Sequence, residues 1–444
     1  MINLNNNSIM IKLIISLLIF KIGNIFAHSI NDLRHWEIAS NDPDRIYLSF
    51  NGNTSNQIGV SWRTKKFNHT PIAEIALSLG SPDFDQKSKK YVAKTEEIDL
   101  SSFSDNTPRK VLYHSTTFTN LTPNTLYAYR VGNGEEFCSE WIQFKTASNK
   151  NDPFSFIYFG DAQNDILNKW SRTIRMAQKE HGEISFFLHA GDLVDKAHYD
   201  HEWAAWFKAG SFLHAQYPGI PVLGNHEYDF DNEFNLGEKI KSFLWRPQFN
   251  LPVEKSLPIE LHETCYYVDY NNTRIIILNS NKLSKEQDEW LEKKLHESKN
   301  DWLIVSFHHP IFPPAGRNHY TKQQKEKWIN LFNKYNVDIV LQGHDHSYVR
   351  GHIYKPNFEK NIQTVYVTSV SGPKQYPINK EKLLNYKINN YKTDFIGENG
   401  QFFQKITINK NHLNFECFLS DGCLYDRITI NKDLNSGKKR IIEN

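Results

Sequence analysis

The feature that most constrains this chain is a series of five apolar runs, each followed by residues that can bind a metal ion. The runs and these residues are 154–159 with Asp161 and Gln163, 184–189 with Asp192, 220–223 with Asn225 and His226, 302–307 with His308, and 337–341 with His344 and His346. The runs resemble buried strands, and open α/β sheets bind ligands at the carboxyl ends of their strands. Four have an adjacent glycine, which lets the backbone turn tightly beside an ion. Five such coincidences predict one metal-binding edge.

The part of the chain before these runs has a different pattern, which is all strand. Short runs rich in β-branched and aromatic residues alternate with Asn-Gly, Gly-Ser and Pro-Asn turn signals, which is typical of a β-sandwich. The predicted strands are 45–50, 57–63, 73–79, 110–120, 125–132 and 136–145. This part carries no cluster of ligand-type residues, so we interpret it as a structural or substrate-positioning domain. Residues 147–153 are polar and end in proline, and we expect them to be the linker.

Beyond the linker, strands alternate with helical patterns, which predicts an α/β layout. Apolar residues have helical spacing in 166–181, 201–216, 285–299 and 322–336. The last two segments begin after Ser284 and Thr321, each followed three residues later by glutamine, which is the form of a capping box. We expect 401–409, 414–419 and 424–430 to be closing strands of a second sheet, and Lys438–Arg440 to be part of a solvated end.

Length and composition limit the possible partners. The 444 residues predict two domains, and the net charge of +2 gives no case for a nucleic-acid or membrane partner. Residues 1–27 have the pattern of a secretory signal, with an apolar run at 13–20 and a small residue at Ala27. The run is too short to span a membrane. We therefore expect a soluble protein that is secreted or periplasmic, and its oligomeric state stays open.

The four cysteines, Cys138, Cys265, Cys417 and Cys423, lack the C-x-x-C spacing of metal sites. In an oxidising compartment Cys417 and Cys423 could close a short hairpin, which would leave Cys138 with Cys265. Four buried thiols are an equally good interpretation.

The ligand-type residues point to a specific chemistry. Carboxylate, imidazole and amide oxygen donors suit Fe, Zn or Mn, and the lack of cysteine among them argues against a structural zinc site. One carboxylate between two ions can bridge a pair about 3.5–4 Å apart, which clamps a phosphoryl group and acidifies a bound water. The set therefore predicts hydrolysis of a phosphate ester.

Taken in order, the five blocks resemble the signature of the calcineurin-like metallophosphoesterases. Residues 121–131 resemble the strand entry of fibronectin type III domains, in which a tyrosine fixes a corner, and this makes the chain most similar to purple acid phosphatases. The resemblance covers nearly all of the mature chain. It implies an α+β / α/β protein, with a fibronectin type III-like sandwich at 35–147, a four-layer α/β/β/α metallophosphoesterase domain at 152–432 and a tail at 433–444.

The resemblance also implies a role for each residue of the site. Asp161, Asp192 and His346 would bind a first metal ion, with Asp192 as the bridge, and Asn225, His308 and His344 would complete a second site. The cofactors would be two metal ions, Fe with Zn, Mn or Fe. The catalytic residues would be Asn225, His226 facing the substrate phosphate, and His319 as a second substrate-facing histidine. Glu227 would orient His226. A solvated loop histidine is an equally good interpretation of His319.

Two positions depart from the family pattern. Asp195 stands where purple acid phosphatases have the tyrosine that gives their colour, and Gln163 stands where non-purple relatives have a histidine. Our hypothesis is that Gln163, or a water it holds, completes the first site, so that the enzyme is colourless. Asp195 is either a direct ligand or a solvated carboxylate nearby, and Lys374 either touches phosphate or is a surface lysine.

The function implied is that of a secreted, dinuclear acid phosphatase that cleaves phosphomonoesters with a metal-bound hydroxide. A phosphodiesterase of the same fold is the alternative enzyme, since the metal core serves both reactions. A non-catalytic surface binding module with a decayed metal site is the alternative from another class. The intact Asn225, His226, His308, His344 and His346 argue against decay.

Overall fold

A computed structural model describes residues 34–66, 69–101, 109–230, 239–355, 358–386 and 390–443. The expected signal at 1–27 lies outside them. The N-terminal strands are β1 (Asp44–Ser49), β2 (Ile58–Lys65), β3 (Ile72–Leu77), β4 (Lys89–Val92), β5 (Lys94–Asp99), β6 (Lys110–Phe118), β7 (Leu126–Gly132) and β8 (Ile142–Lys145), with a 3-10 turn at Phe84–Lys87. They form one sheet in the order β1-β2-β6-β5 and another in the order β4-β3-β7-β8. The predicted β-sandwich is confirmed.

The corner before β7 follows the expectation from the sequence. The Thr122 N–H donates to the hydroxyl of Tyr127 at 2.9 Å. The ring of Tyr127 is buried and stacks on Phe144 of β8. The tyrosine thus fixes the entry of the strand by joining a backbone hydrogen bond to core packing.

The second domain contains two groups of strands that face each other and are joined at one edge, where Ile362 pairs with Lys439. Its strands are β9 (Phe154–Phe159), β10 (Phe187–His189), β11 (Gly219–Pro221), β12 (Tyr228–Phe230), β13 (Lys239–Lys241), β14 (Tyr266–Tyr270), β15 (Thr273–Ile277), β16 (Trp302–Ser306), β17 (Ile339–Gln342), β18 (Tyr348–Lys355), β19 (Phe358–Thr368), β20 (Tyr391–Gly397), β21 (Phe402–Asn409), β22 (His412–Leu419), β23 (Leu424–Lys432) and β24 (Lys439–Glu443). One sheet runs β11-β10-β9-β21-β22-β23-β24. The other runs β14-β15-β16-β17-β19-β18-β20. The strands that precede the ligand-type residues are parallel within each sheet, so their carboxyl ends share one edge.

Helices cover the outer faces of the two sheets. They are α1 (Ser171–Glu180), α2 (Asp200–Gly210), α3 (Phe212–Gln216), α4 (Trp245–Gln248), α5 (Lys285–Glu297), α6 (Lys322–Lys334) and α7 (Lys380–Asn385), with a π turn at Ile166–Trp170 and a 3-10 turn at Ile259–Leu261. Alternate residues of β15 belong to different cores: Ile275 and Ile277 pack between the sheets, and Ile276 packs beneath α5 and α6. Because alternate side chains of a strand point to opposite faces, each sheet has an inner face toward the other sheet and an outer face toward helices. This arrangement gives the four predicted layers.

The helices differ from the prediction in two respects. The segment 201–216 is two helices, because Ser211 has a φ of 47° and breaks the hydrogen-bonded series. Thr321 forms the complete capping box with Gln324. Ser284 accepts the Gln287 N–H, but the Gln287 side chain is buried and donates to the backbone oxygens of residues 279 and 282 instead.

Of the three residues predicted to lie in a solvated end, Lys438 and Arg440 are exposed but Lys439 is not. Lys439 begins β24, and its side chain is buried. Its Nζ lies 3.2 Å from Asp338, whose other carboxylate oxygen lies 2.9 Å from Lys432. The prediction for this lysine was wrong because a buried carboxylate on a distant segment compensates its charge.

All four cysteines are thiols in the structure, so neither of the two possible disulfides is present. The alternative of four buried thiols holds for Cys265 and Cys417, whereas Cys138 is half-buried. Cys417 is buried in β22 and Cys423 is exposed in the turn of the hairpin. The expected hairpin is therefore present, and its strand pairing rather than a covalent bond closes it. None of the helices in the described part of the chain is both long and apolar enough to cross a membrane.

The sandwich is fastened to the second domain by a buried ionic cluster. Asp200, at the start of α2, lies 2.7 Å from Arg45 and 3.1 Å from Arg63, and Arg109 is 3.5 Å away. Arg63 also pairs with Asp44 at 2.6 Å. Three arginines of the sandwich thus share one carboxylate of the second domain.

Candidate metal centre

The edge where both sheets end brings the predicted ligands together. Asp161 follows β9, Asp192 follows β10, and Asn225 follows β11. The three histidines come from the other sheet, with His308 after β16 and both His344 and His346 after β17. Two groups of ligand atoms result, Asp161 with Asp192 and His346, and Asp192 with His308 and His344, and within each group the atoms lie within 4.8 Å of one another. Asp192 belongs to both groups.

The first group is completed by Gln163. Asp161 Oδ2 lies 3.2 Å from His346 Nε2. Gln163 Nε2 lies 2.9 Å from Asp192 Oδ2 and 3.0 Å from His346 Nε2, and Gln163 Oε1 is buried without a hydrogen-bond partner. A half-turn of the terminal amide exchanges its oxygen and nitrogen. That rotation would present the oxygen to a cation held by Asp192 and His346.

The second group is completed by Asn225. Its Oδ1 lies 2.8 Å from His344 Nδ1 and 3.1 Å from His308 Nε2. His308 Nε2 is also 3.1 Å from Asp192 Oδ2. The asparagine oxygen and the nitrogens of two imidazoles therefore converge on one side of Asp192.

The outer nitrogens of two histidines are fixed by backbone oxygens. His308 Nδ1 donates to the Ala190 oxygen at 2.8 Å, and His346 Nδ1 donates to the Lys374 oxygen at 3.0 Å. A proton held on Nδ1 leaves the Nε2 lone pair directed at the carboxylates, which is how metal-binding histidines are usually oriented.

The charges of the site favour a bound cation. Burial opposes charge on His308, but the carboxylates of Asp192 and Asp161 raise its pKa to about 10. Burial also opposes charge on Asp192, whose pKa is nevertheless lowered by His308 and His226. A metal ion and a proton compete for the same imidazole nitrogen. The negative potential of the two buried carboxylates therefore favours the binding of a metal cation.

The backbone of the site is strained where the ligands converge. Asp192 has a φ of 50° and His344 a φ of 71°, values that L residues rarely adopt. Gly191 has a φ of 92°, and a Cβ there would lie 2.5 Å from His308 Nδ1. Glycine at 191 thus lets the strand end pass against the ligand histidine.

These observations fit a pair of metal ions. The donors are oxygen and nitrogen atoms, they are buried, and one carboxylate is shared. Asp161 Oδ2 and Gln163 Oε1 are buried polar atoms without hydrogen-bond partners, and such atoms are costly unless something binds them.

The side chain of His226 is oriented by Asp195. His226 Nδ1 donates to the Asp195 backbone oxygen at 2.6 Å and lies 3.4 Å from its carboxylate. His226 Nε2 faces Asp192 Oδ2 at 3.9 Å, and the side chain is 27% exposed. Asp195 is absent from both ligand groups among the described residues, so the geometry favours its role beside His226 over direct coordination.

Glu227 does not orient His226, contrary to our expectation. Its buried carboxylate accepts the N–H groups of Asp192, Leu193 and Gly224 at 2.7–2.9 Å. Burial raises its pKa to about 8, and the charge of Asp192 adds to this effect. Glu227 therefore joins the two loops that carry Asp192 and Asn225.

His319 lies over the second group. Its ring stacks on His309 at 3.5 Å, and the His309 ring is 4.5 Å from that of His344. His319 Nε2 donates to the Ser280 oxygen at 2.8 Å. The histidine is thus near the site but held by a neighbouring loop.

The sequence analysis missed Tyr376 and Arg317. The Tyr376 ring lies 4.6 Å from that of His346, and the Arg317 guanidinium lies over the Tyr376 ring at 4.0 Å. Neither residue follows a strand of the predicted edge, so only the return of their loops to the site reveals them.

Comparison with known families agrees with this arrangement. Residues 154–348 match the family model described as Calcineurin-like phosphoesterase. Residues 43–146 match the model described as Purple acid Phosphatase, N-terminal domain.

Curated relatives are distant. An Arabidopsis thaliana protein named Fe(3+)-Zn(2+) purple acid phosphatase is 26% identical over 325 residues, which is 70% of this chain and 65% of the relative. An uncharacterized protein of Mycobacterium tuberculosis is 26% identical over 345 residues, which is 69% of this chain and 62% of the relative. The chain thus spans slightly less than two thirds of these relatives.

Solved structures share the fold. A purple acid phosphatase from yellow lupin seeds has a TM-score of 0.72 at 22% identity, with 88% of this chain and 75% of that chain covered. The structure of PhoD has a TM-score of 0.63 at 15% identity and covers 90% of this chain and 92% of its own. Both sheets, the preceding sandwich and the order of the ligand blocks agree with the family matches. The chain therefore contains a calcineurin-like phosphoesterase domain preceded by a purple acid phosphatase N-terminal domain.

Proposed function

We propose that this protein is a secreted phosphatase with two metal ions, which hydrolyses phosphomonoesters. The observation that carries the proposal is the sharing of Asp192 by two groups of buried ligand atoms. When bound, the ions would supply Lewis acid chemistry and lower the pKa of a coordinated water. The name of the Arabidopsis relative supports iron and zinc as the first metals to test.

The ligands of the proposed ions follow the two groups. Asp161, Gln163 and His346 would hold the first ion and Asn225, His308 and His344 the second, and Asp192 would serve both. The first site has an amide where a stronger donor is usual in the family, so we propose that it holds its ion less tightly than the second. We also propose that the two domains span residues 35–147 and 152–432, and that β24 belongs to the second domain.

His226 acts on the substrate side of the ions. Asp195 fixes its Nδ1 proton, so Nε2 is the atom available to the phosphate or to the leaving oxygen. In that position it stabilises charge on the transferring phosphoryl group or delivers a proton to the leaving group. His319 has its Nε2 engaged by Ser280 and contributes to the shape of the pocket through its stacked ring.

The experiment combines metal analysis of the purified protein with its rates of hydrolysis of phenyl phosphate and diphenyl phosphate. We expect two equivalents of metal and faster hydrolysis of the monoester. His226→Asn should keep both metals and lower kcat by about 10²–10⁴-fold. Asn225→Ala should lose metal from one site.

His412→Asn, on strand β22 of the closing sheet, is the matched control and should leave the rates unchanged. Two equivalents of metal without hydrolysis of either ester would overturn the phosphatase proposal in favour of a binding role. Faster hydrolysis of the diester would replace the monoester with the phosphodiesterase alternative. Unchanged kcat in His226→Asn would remove the proposed role of that histidine.

A further inference from the structure

A cationic group lies beside the candidate metal centre and takes no part in it. Arg317 is exposed, and its guanidinium lies 4.0 Å from the centroid of the Tyr376 ring. The Lys374 ammonium lies 5.7 Å from the same centroid. We call Arg317, Lys374 and Tyr376 the cationic arm.

The cationic arm is attached directly to a ligand of the first site. The Tyr376 N–H donates to the His346 oxygen at 2.9 Å, and His346 Nδ1 donates to the Lys374 oxygen at 3.0 Å. The rings of Tyr376 and His346 lie 4.6 Å apart. These contacts fix the base of the arm against His346, so the positions of its cations relative to the first site are defined.

The loop that carries Arg317 is also firmly held. The Ala315 N–H donates to Asp345 Oδ2 at 2.7 Å, and Lys382 Nζ donates to the Gly316 oxygen at 2.6 Å. Two residues after Arg317, His319 is bound to Ser280. Anchors on both sides of Arg317 reduce the conformational entropy that a ligand must overcome when it binds the side chain.

The two cations are available to a ligand. Among the described residues, neither Arg317 nor Lys374 has a carboxylate within the 4.0 Å of an ion pair, although the Arg317 charge interacts with the buried Asp345 carboxyl. The Arg317 guanidinium lies 4.0 Å from the centroid of the Tyr376 ring, which is a cation–π contact. An exposed arginine that forms no ion pair at this distance suits a planar or tetrahedral anion.

The position of the arm indicates which part of a substrate it meets. The Tyr376 ring contacts both the His346 ring, at 4.6 Å, and the Arg317 guanidinium, at 4.0 Å. A phosphoryl group bound beside His346 would therefore be separated from the guanidinium by no more than one aromatic side chain. An anionic group elsewhere on the same molecule, a few bonds beyond the ester oxygen, spans that separation.

We propose that the cationic arm binds a second anionic group, a carboxylate or a phosphate, on the leaving-group side of a phosphomonoester. This inference rests on the proposed function and adds the substrate class to it. Arg317 and Lys374 are specificity residues, and Tyr376 positions Arg317. Substrates with an uncharged leaving group are hydrolysed without the help of the arm.

The test uses 4-carboxyphenyl phosphate and 4-carbamoylphenyl phosphate, which have the same size and differ in one negative charge. The metal-loaded full chain should have the higher kcat/KM on the carboxylate. In Arg317→Gln with Lys374→Gln, that kcat/KM should fall at least about tenfold, since hydrogen bonds to charged groups are lost. The value for the carboxamide should stay within about twofold. Tyr376→Leu should show a smaller selective loss of kcat/KM on the carboxylate substrate, because it removes the ring that positions Arg317.

Lys285→Gln removes an exposed lysine on α5 and is the matched control for charge. Thermal unfolding midpoints of all variants verify that they fold. An equal loss on both substrates would overturn the proposal, because it would assign the arm to the transferred phosphate or to metal binding. Equal kcat/KM of the wild type on the two substrates would also overturn it while leaving the phosphatase function intact. Hydrolysis of neither ester would overturn the proposed function, and the substrate class with it.

Discussion

Replacing Asp200 by asparagine should weaken the interface between the two domains. The Asp200 carboxylate is almost fully buried and lies within 3.5 Å of Arg45, Arg63 and Arg109. Asparagine has nearly the same shape but no charge, so the variant keeps the packing and removes the compensation of three cations. The interface, rather than the core of either domain, is the part that the substitution perturbs.

The magnitude follows from two considerations. Burial raises the pKa of Asp200, but the charges of the three arginines outweigh it and bring the pKa from 3.8 to about 2. That shift corresponds to about 2 kcal/mol of stability at neutral pH. Removal of one partner from a buried ion pair costs about 3–5 kcal/mol, because the remaining charge stays uncompensated. We therefore expect Asp200→Asn to lower the free energy of unfolding by about 3 kcal/mol or more.

Urea unfolding at pH 7 and at pH 2.5, followed by tryptophan fluorescence, measures this effect. A depressed carboxyl pKa gives stability that is present above pH 3.8 and is lost as the pH falls toward 2, so the difference between wild type and variant should shrink at pH 2.5. The control is Asp44→Asn, whose carboxylate is 31% exposed; its partner Arg63 keeps Asp200 at 3.1 Å, so the loss should be smaller than in Asp200→Asn. Equal losses in the two variants, or a loss below about 1 kcal/mol for Asp200→Asn, would refute the reasoning.

Two further predictions concern the metal site and the acid range. The iron-loaded protein should lack a strong visible absorption band, since Asp195 occupies the tyrosine position of purple relatives. The Tyr376 ring is 4.6 Å from that of His346. A visible band that disappears in Tyr376→Phe would contradict the prediction and identify the Tyr376 phenol as a ligand. His189 is buried without hydrogen-bond partners, and burial lowers its pKa to about 3. In the unfolded chain the imidazole binds a proton below about pH 6.5, whereas in the folded protein it stays neutral. His189 should therefore lower the free energy of unfolding by about 2 kcal/mol at pH 5. His189→Phe should therefore flatten the loss of stability between pH 7.5 and 5 in urea unfolding, and an unchanged slope would contradict the assignment.

The ligand set was predictable because each member is a local signal. A buried strand and the polar residue after it lie within a few positions of each other, and parallel strands bring their carboxyl ends to one edge. Asp161, Asp192 and His308 each follow this rule. The same local character explains why the sandwich and the alternation of strands and helices were read correctly.

The misses depend on contacts between distant segments. The orientation of His226 is set by Asp195, 31 positions earlier, and the burial of Lys439 depends on Asp338. Gln287 has the sequence of a capping residue, but its side chain is drawn into hydrogen bonds with buried backbone groups. Such competition between a local and a distant partner is decided by the packed structure, and spacing in the sequence carries no record of it.

The two departures from the family pattern have one electrostatic consequence. In purple acid phosphatases a tyrosine oxygen adds negative charge to the first site; here the corresponding carboxylate of Asp195 lies beside His226, and Gln163 is neutral. The charged ligands of the proposed pair are then Asp161 and Asp192. Two divalent ions with two carboxylates keep two positive charges uncompensated. A phosphomonoester carries nearly two negative charges at neutral pH, whereas a diester carries one, so this ligand set supports the proposed monoester substrate and a divalent pair as the proposed metals.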